Sequence, residues 1–143
     1  ANMKNAILTG TNLETLRNSG VDLTLAITDS NIGPSVTELQ TPLIHLIEEH
    51  QRWVETSGKV GRQLDLSGYD LREVGGLKKQ KLTALKACDA KFFGMNLYQV
   101  ELQSANLERA DFRRCDLVNA DFRGANLKDA NQKNQERKRK VWE

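Results

Sequence analysis

An apolar residue recurs every five positions through the second half of the chain. Counting in fives from Leu77 to Leu127 gives eleven positions, all apolar, in a chain that is 38% hydrophobic. Chance would produce such a run with a probability on the order of 10⁻⁵. A fixed period predicts a stack of similar units, and such stacks usually bind partners along their surface. These positions, called centres below, are Leu77, Leu82, Ala87, Phe92, Leu97, Leu102, Leu107, Phe112, Leu117, Phe122 and Leu127.

A five-residue period fits neither a straight helix nor a straight strand. A helix would rotate successive centres by about 140°, and a strand would turn them to alternate faces. The chain must therefore turn a corner in each unit, so that every centre points into one interior. The residue two before a centre is small, as at Ala105, Ala110 and Cys115, and the next is commonly Asn or Asp. We expect the small residues to share the interior and the Asn and Asp side chains to bond backbone groups at the corners.

These units follow the pattern A-(D/N)-L-X-X, for example in residues 105–109 and 120–124. The pattern resembles that of the pentapeptide-repeat family, closely over residues 64–131 and more loosely over residues 1–28. The resemblance implies an all-β solenoid, namely a right-handed quadrilateral β-helix with four pentapeptides in each coil. It also implies a bacterial protein.

Some positions depart from the pattern. At Leu85 and Ala87 the large residue stands where the pattern has a small one and the small residue stands at the centre, so the summed volume of the core is conserved. Leu66 and Leu71 are out of phase with Leu77 by one residue. We therefore expect a one-residue bulge within residues 74–76, where the glycines permit the dihedral angles it needs.

The sequence divides into four predicted segments. Residues 1–30 form a short N-terminal repeat segment, too small to bury its own core. Residues 31–63 are a loop and an amphipathic helix, and residues 64–131 are the main β-helix. Residues 132–143 are a basic tail that could form a helical cap or contact an anionic partner. The chain begins inside a repeat unit, so we expect it to be part of a longer protein.

An amphipathic helix interrupts the two repeat blocks. We expect Thr41 to cap it, Pro42 to lie in its first turn and Gly58 to end it. A short turn with a capping box at residues 35–38 should precede the helix. This helix would cover the open end of the main β-helix, with Trp53 as the large apolar contact. The apolar stripe with three- and four-residue spacing consists of Leu43, Leu46, Ile47, His50 and Val54.

The sequence offers no catalytic, metal or cofactor site. His45 and His50 are five residues apart, about 140° around a helix, whereas zinc helices carry histidines four apart. Cys88 and Cys115 lack metal-ligand spacing and fit reduced thiols, with Cys115 in the core and Cys88 facing outward. No run reaches the roughly 18 apolar residues of a membrane span, and the start lacks the apolar core of a signal peptide. We expect a cytoplasmic protein without cofactors.

The candidate partner surface lies on the outer sides of the main block. Four units make a coil, so residues twenty apart should stack on one side. Aromatic residues together with arginine are typical of interaction hot spots. Alternatively, the helix or the N-terminal repeats could cover these side chains. The predicted partner-binding residues are Phe93, Tyr98, Val118, Lys91, Arg113 and Arg114.

These features favour a non-catalytic protein–protein interaction or scaffold module with an unknown protein partner. Self-association through the ends of the β-helix is an additional prediction. The alternative comes from the best-characterised branch of the family, whose members mimic DNA and modulate type II topoisomerases such as gyrase. Mimicry needs acidic surfaces, but residues 64–131 contain eleven basic and ten acidic residues. This balance disfavours mimicry and gives no strong signal for nucleic-acid binding. The absence of long loops from the main block disfavours an enzyme.

Overall fold

The computed structural model describes residues 3–14, 16, 19–23, 26–29, 32–72 and 77–131. The chain divides into two compact units, residues 1–33 and residues 34–143. The second unit contains a 3₁₀ helix, Val36–Glu38, and an α-helix, α1, Leu43–Glu55. Its extended backbone consists of isolated parallel bridges, each formed by a single residue pair.

The second unit returns to the same register every twenty residues. From Lys81 to Asn126 each bridge residue directly precedes a centre. Its bridge partner in this range lies twenty positions, or four five-residue units, away along the chain. We call each stack of residues at this interval a column, and each stack of units a side. The bridged columns with this interval are Lys81–Glu101–Asp121, Lys86–Asn106–Asn126, Lys91–Asp111–Asn131 and Asn96–Asp116.

Each unit closes with a tight turn. The Gln80 N–H donates to the carbonyl of the centre Leu77, at 3.1 Å, and the intervening Lys79 has φ 63°. This is the left-handed position of a type II turn. The side chain before the centre also bonds backbone, since Asn96 Oδ1 accepts from Tyr98 N–H at 3.1 Å. The expected Asn and Asp bonds are therefore confirmed, but the left-handed corner residue lies two places after the centre.

The centres build a continuous core. Ten of the eleven are buried, and Leu127, in the last described coil, is partly exposed. The rings of Phe92 and Phe112 stack in successive coils with centroids 4.8 Å apart. Leu85 and Ala87 are both 0% exposed, which confirms that their exchange of size keeps both inside.

The phase slip before Leu77 is visible in the bridges. Asp65 pairs with Lys86 and Asp70 with Lys91, so the separation is 21 residues in the first coil instead of 20. One extra residue is therefore accommodated between Leu71 and Leu77, as predicted. The expected bulge at residues 74–76 lies outside the described residues.

The ends of α1 differ slightly from the prediction. The helix begins at Leu43, and Pro42 is the cap residue without a side-chain hydrogen bond, so the expected cap at Thr41 is wrong by one position. After Glu55 the chain reverses through Ser57, with φ 55°. Gly58 N–H then donates to the Trp53 carbonyl at 2.8 Å, as in a Schellman motif.

Polar side chains from α1 and the following loop cover the first edge of the coils. His50 Nε2 lies 2.8 Å from the carbonyl of Thr83, and Gln51 Nε2 donates to the carbonyl of Lys81 at 3.2 Å. Gln63 Nε2 donates to Ala84 O at 2.8 Å. In the next coil the carbonyls equivalent to those of Lys81 and Thr83 accept from backbone N–H groups instead. The side chains of His50, Gln51 and Gln63 therefore bond carbonyls at this edge that a preceding coil would otherwise bond.

Trp53 is not the main contact of this helix. Ile47 and His50 are its buried residues, whereas Trp53 is half-buried and stacks against His50 with ring centroids 5.8 Å apart. The preceding turn is as expected, since Ser35 Oγ accepts from Thr37 N–H at 3.2 Å at the start of the 3₁₀ helix. This segment adds one further bridge, between Ser35 and Asp70.

The first unit has the same periodicity on a smaller scale. A parallel bridge joins Ile7 to Ile27, twenty residues apart, and Leu8 N–H donates to Ile27 O at 2.7 Å. Its predicted centres, however, are only partly buried. This agrees with the expectation that so few units cannot bury a core by themselves. The centres concerned are Met3, Leu8, Leu13 and Leu23.

Candidate interaction surface

The structure distributes the predicted partner-binding residues over two neighbouring sides. Tyr98 and Val118 lie in one column, whereas Lys91, Phe93 and Arg113 belong to the preceding side. Arg114 is exposed at the corner between these sides, with φ 61°. The six residues therefore belong to two adjacent sides that meet at the corner of Arg114.

Phe93 and Arg113 do not point outward into solvent, which corrects the prediction for both residues. Phe93 is 4% exposed and Arg113 is 1% exposed. The guanidinium carbon of Arg72 lies 5.0 Å from the centre of the Phe93 ring, a cation–π contact. Arg113 forms an ion pair with Asp111. Neighbouring side chains thus cover positions that the five-residue period alone assigns to the outside.

An aspartate two residues before an arginine explains how these side chains lie along the wall. Asp70 Oδ2 accepts from Arg72 Nη2 at 3.0 Å, and Asp111 Oδ1 accepts from Arg113 Nε at 2.9 Å. Lys91 is bridged to both aspartates and is half-buried, and its Nζ donates to a backbone carbonyl at 2.6 Å. This side is therefore an internally paired cluster rather than an open contact surface.

The neighbouring side carries the exposed apolar surface. Lys79 N–H donates to Tyr98 O at 2.9 Å and Gln99 N–H to Val118 O at 3.0 Å, so Tyr98 and Val118 lie in successive coils. Val118 is 39% exposed, which is more than any other large hydrophobic side chain of the described coils. Tyr98 is half-buried. We define the Tyr98 side by the outward residues of its units, Lys78, Lys79, Tyr98 and Val118, together with Arg114 at the corner that precedes it.

The histidine pair is separated as the spacing predicted. His45 is exposed, whereas His50 is 0% exposed and its Nδ1 accepts from Leu64 N–H at 2.9 Å. Because Nδ1 accepts, the proton of the neutral ring resides on Nε2, which donates to Thr83 O. Burial lowers the pKa of His50 below its usual 6.5. No group of His, Cys, Asp or Glu that could hold a metal is found in the described part of the chain.

The two cysteines also occupy different environments. Cys115 is buried, and burial raises the pKa of its thiol to about 12, which leaves it protonated and unreactive at neutral pH. Cys88 is partly exposed on another side. The interior placement predicted for Cys115 is therefore confirmed.

Sequence reasoning missed the edge-capping role of Gln51 and Gln63. Their partners, Lys81 O and Ala84 O, are about twenty to thirty residues away, and no local pattern indicates such contacts. A signal for His50 was present, because it occupies a position in the apolar stripe of α1. A polar ring in such a stripe requires partners for both nitrogens when it is buried.

Comparison with known proteins identifies the repeats. No curated protein and no solved structure matches the chain. In the described residues no helix is long and apolar enough to span a membrane. A family model described as "Pentapeptide repeats (8 copies)" matches residues 90–131, and this family is generally non-catalytic. The block with the twenty-residue register therefore contains pentapeptide repeats, eight copies of which lie in residues 90–131.

Proposed function

We propose that this protein is a non-catalytic protein–protein interaction module, and that it uses the Tyr98 side to contact its partner. The observation that carries the proposal is the exposure of Val118 beside Tyr98 in an otherwise well-packed stack. Exposed apolar residues on a rigid repeat surface are typical of interaction sites. The family match supports a non-enzymatic repeat protein.

The proposed scaffold is a right-handed quadrilateral β-helix over residues 64–131. Its support is the twenty-residue spacing of parallel bridges, with four five-residue units in each interval. Left-handed corner residues recur in every described unit from Leu77 onward, as at Lys79, Ala84 and Asp89, which gives four turns per coil. Successive units would then present four different sides, so that one side can serve a partner independently of the others.

The topoisomerase alternative is not part of this proposal. DNA mimicry requires continuous rows of negative charge. None of the described columns is such a row, and the column of Asp70, Lys91 and Asp111 has a lysine between its two aspartates. Lys78 and Lys79 also place positive charge next to the exposed apolar residues.

Site-specific photo-cross-linking in cells of the source organism tests the proposal. A photoreactive phenylalanine analogue is introduced in place of Val118, and in place of Lys128 as a control. Lys128 is exposed and lies two units further along, on the opposite side of the coil. We expect a discrete cross-linked protein from position 118 only. If neither position gives an adduct, or both give the same set, the Tyr98 side is not the partner surface.

A further inference from the structure

We propose that the Tyr98 side binds an acidic protein segment that carries an aliphatic or aromatic side chain. This inference rests on the proposed function and names the chemistry of the partner. Its basis is the distribution of charge among the described residues of the coils: each of the other basic residues has an acidic residue paired with it or next to it in its column, whereas Lys78, Lys79 and Arg114 have no described acidic residue in theirs.

Arginine is paired with acid on the other sides. Within the described coils, four arginines form ion pairs with carboxylates of the same or an adjacent coil. Such pairing neutralises the surface locally, because each guanidinium faces a carboxylate within hydrogen-bonding distance. The pairs are Arg72–Asp70, Arg109–Asp89, Arg113–Asp111 and Arg123–Asp121.

The lysines of those sides follow the same rule through their columns. Lys81 is bridged to Glu101 and Lys86 to Asp65, while Lys91 lies between two aspartates. Lys128 lies directly above Glu108. The N–H of Arg109, the residue after Glu108, donates to the carbonyl of Lys128 at 2.9 Å. These lysines are in none of the ion pairs of the described residues, but each has an acidic residue next to it in its column, which Lys78 and Lys79 lack among the described residues.

In the part of the chain that the structure describes, the basic residues of the Tyr98 side have no such partner. Lys78 shares its column with Tyr98 and Val118, and Lys79 shares its column with uncharged side chains. Both lysines are exposed and, among the described residues, form no ion pair; the same holds for Arg114. A carboxylate of a bound partner would neutralise these positive charges.

One carboxylate does lie on this side, and it is directed to the backbone. Asp116 Oδ1 accepts from Val118 N–H at 3.0 Å, as in the other Asx turns of the stack. Among the described residues of this side, three cations therefore accompany one carboxylate, which already accepts a backbone hydrogen bond. The surplus positive charge lies on the same side as the exposed Val118, with Arg114 in its coil and Lys78 beyond Tyr98 in its column, so a ligand with both negative charge and an apolar group fits the surface best.

The same features disfavour two other occupants. A second copy of this side would bring like charges together, which costs free energy in an interface. A nucleic acid would match the charge but not the apolar contact at Val118, and affinity from three cations alone is strongly reduced by salt. We therefore assign the surface to an acidic protein segment.

A peptide titration monitored by NMR tests the assignment. The probe is a short blocked peptide in which glutamates flank a leucine–phenylalanine pair, and its control has lysines in place of the glutamates. A single-stranded oligothymidylate is the nucleic-acid probe. We expect the acidic peptide alone to shift the amide signals of Lys78, Lys79, Tyr98 and Val118. Preferential binding of the lysine peptide or of oligothymidylate, shifts on another side, or no binding at millimolar peptide would overturn the assignment.

Charge reversal provides a second readout. The double variant Lys78→Glu with Lys79→Glu should weaken binding of the acidic peptide about tenfold or more. The matched control Lys128→Glu, an exposed lysine on the opposite side, should leave the affinity unchanged. Equal losses in the two variants would contradict the proposal. If cross-linking at position 118 succeeds but charge reversal has no effect on its yield, the acidic-segment inference fails while the proposed function stands.

Discussion

The value of an aspartate–arginine pair in this protein depends on how deeply the pair is buried. Asp111–Arg113 and Asp121–Arg123 have the same spacing and the same hydrogen-bonding geometry around a phenylalanine centre. The side chains of the first pair are 9% and 2% exposed, whereas that of Arg123 is 84% exposed. The hydrogen bond from Arg123 lowers the pKa of Asp121 to about 2, but solvent screens this exposed pair.

Neutralising the two aspartates should therefore have unequal effects on stability. Asparagine keeps the side-chain oxygen that accepts the backbone N–H in either turn. Asp111→Asn leaves the Arg113 charge buried without its counter-ion, so we expect it to lower the free energy of unfolding by about 3–5 kcal/mol. Asp121→Asn should have a much smaller effect. Denaturant unfolding of both variants measures the difference, and comparable losses would mean that burial does not decide the strength of these pairs.

At the scale of residues, the period predicted the interior better than the exterior. Centres such as Leu107 and small residues such as Ala105 are buried because the backbone geometry alone directs them inward. Outward residues have no such constraint. Whether Phe93 is covered depends on Arg72, which lies in the preceding coil. The direction of the outer side chains was therefore only partly predictable: Val118 is exposed as expected, whereas Phe93 and Arg113 are buried.

The α1 helix is the element whose contacts depend on protonation. Neutral His50 accepts from Leu64 N–H at Nδ1 and donates to Thr83 O from Nε2. Protonation would put a proton on Nδ1, facing the N–H of Leu64, and would break this contact. A single titration therefore affects the attachment of the helix to the first coil.

The stability of the protein should decrease in mild acid. The unfolded chain takes up a proton at His50 near pH 6.5, whereas burial lowers the pKa in the folded state. The unfolded state thus binds more protons below this pH, and the contribution of His50, complete above pH 6.5, is lost as pH falls through the folded pKa. We expect His50 to contribute a slope of up to about 1.4 kcal/mol per pH unit, measured by denaturant unfolding between about pH 7.5 and about pH 5.

Two substitutions separate this effect from other titrations. His50→Gln should remove the His50 contribution to the slope, even if the variant is less stable at every pH. His45→Gln, at the exposed histidine of the same helix, should retain it. A His50→Gln variant with the pH dependence of the parent protein would show that His50 is not the group responsible.

The helix also shows which element features a sequence can provide. Its apolar spacing predicted the helix and its location between the repeat blocks, because amphipathic periodicity is a local property. Because of its size, Trp53 was predicted to make the main contact between the helix and the coils. The buried residues of the helix are instead Ile47 and His50. That outcome depends on carbonyls of a coil more than thirty residues away, which no local pattern specifies.

For the whole molecule, two kinds of contact act with different periods. The core repeats every five residues, whereas columns such as Lys81–Glu101–Asp121 repeat every twenty. An insertion of any whole number of units therefore preserves the core, but only a full coil preserves the columns. This difference allows their contributions to be measured separately.

Duplicating residues 97–116 directly after Asp116 adds one full coil. All downstream residues keep their columns, and the new coil adds a complete interface with each neighbour. We expect a higher free energy of unfolding and a larger denaturant m-value, since more surface is buried on folding. Duplicating only residues 102–116 adds three units, and their inward residues extend the core in the same way. It places Val118 beside Arg113 instead of Tyr98 and should stabilise less per added residue. If both insertions stabilise equally per residue, the columns contribute nothing and the core alone sets the stability of the stack.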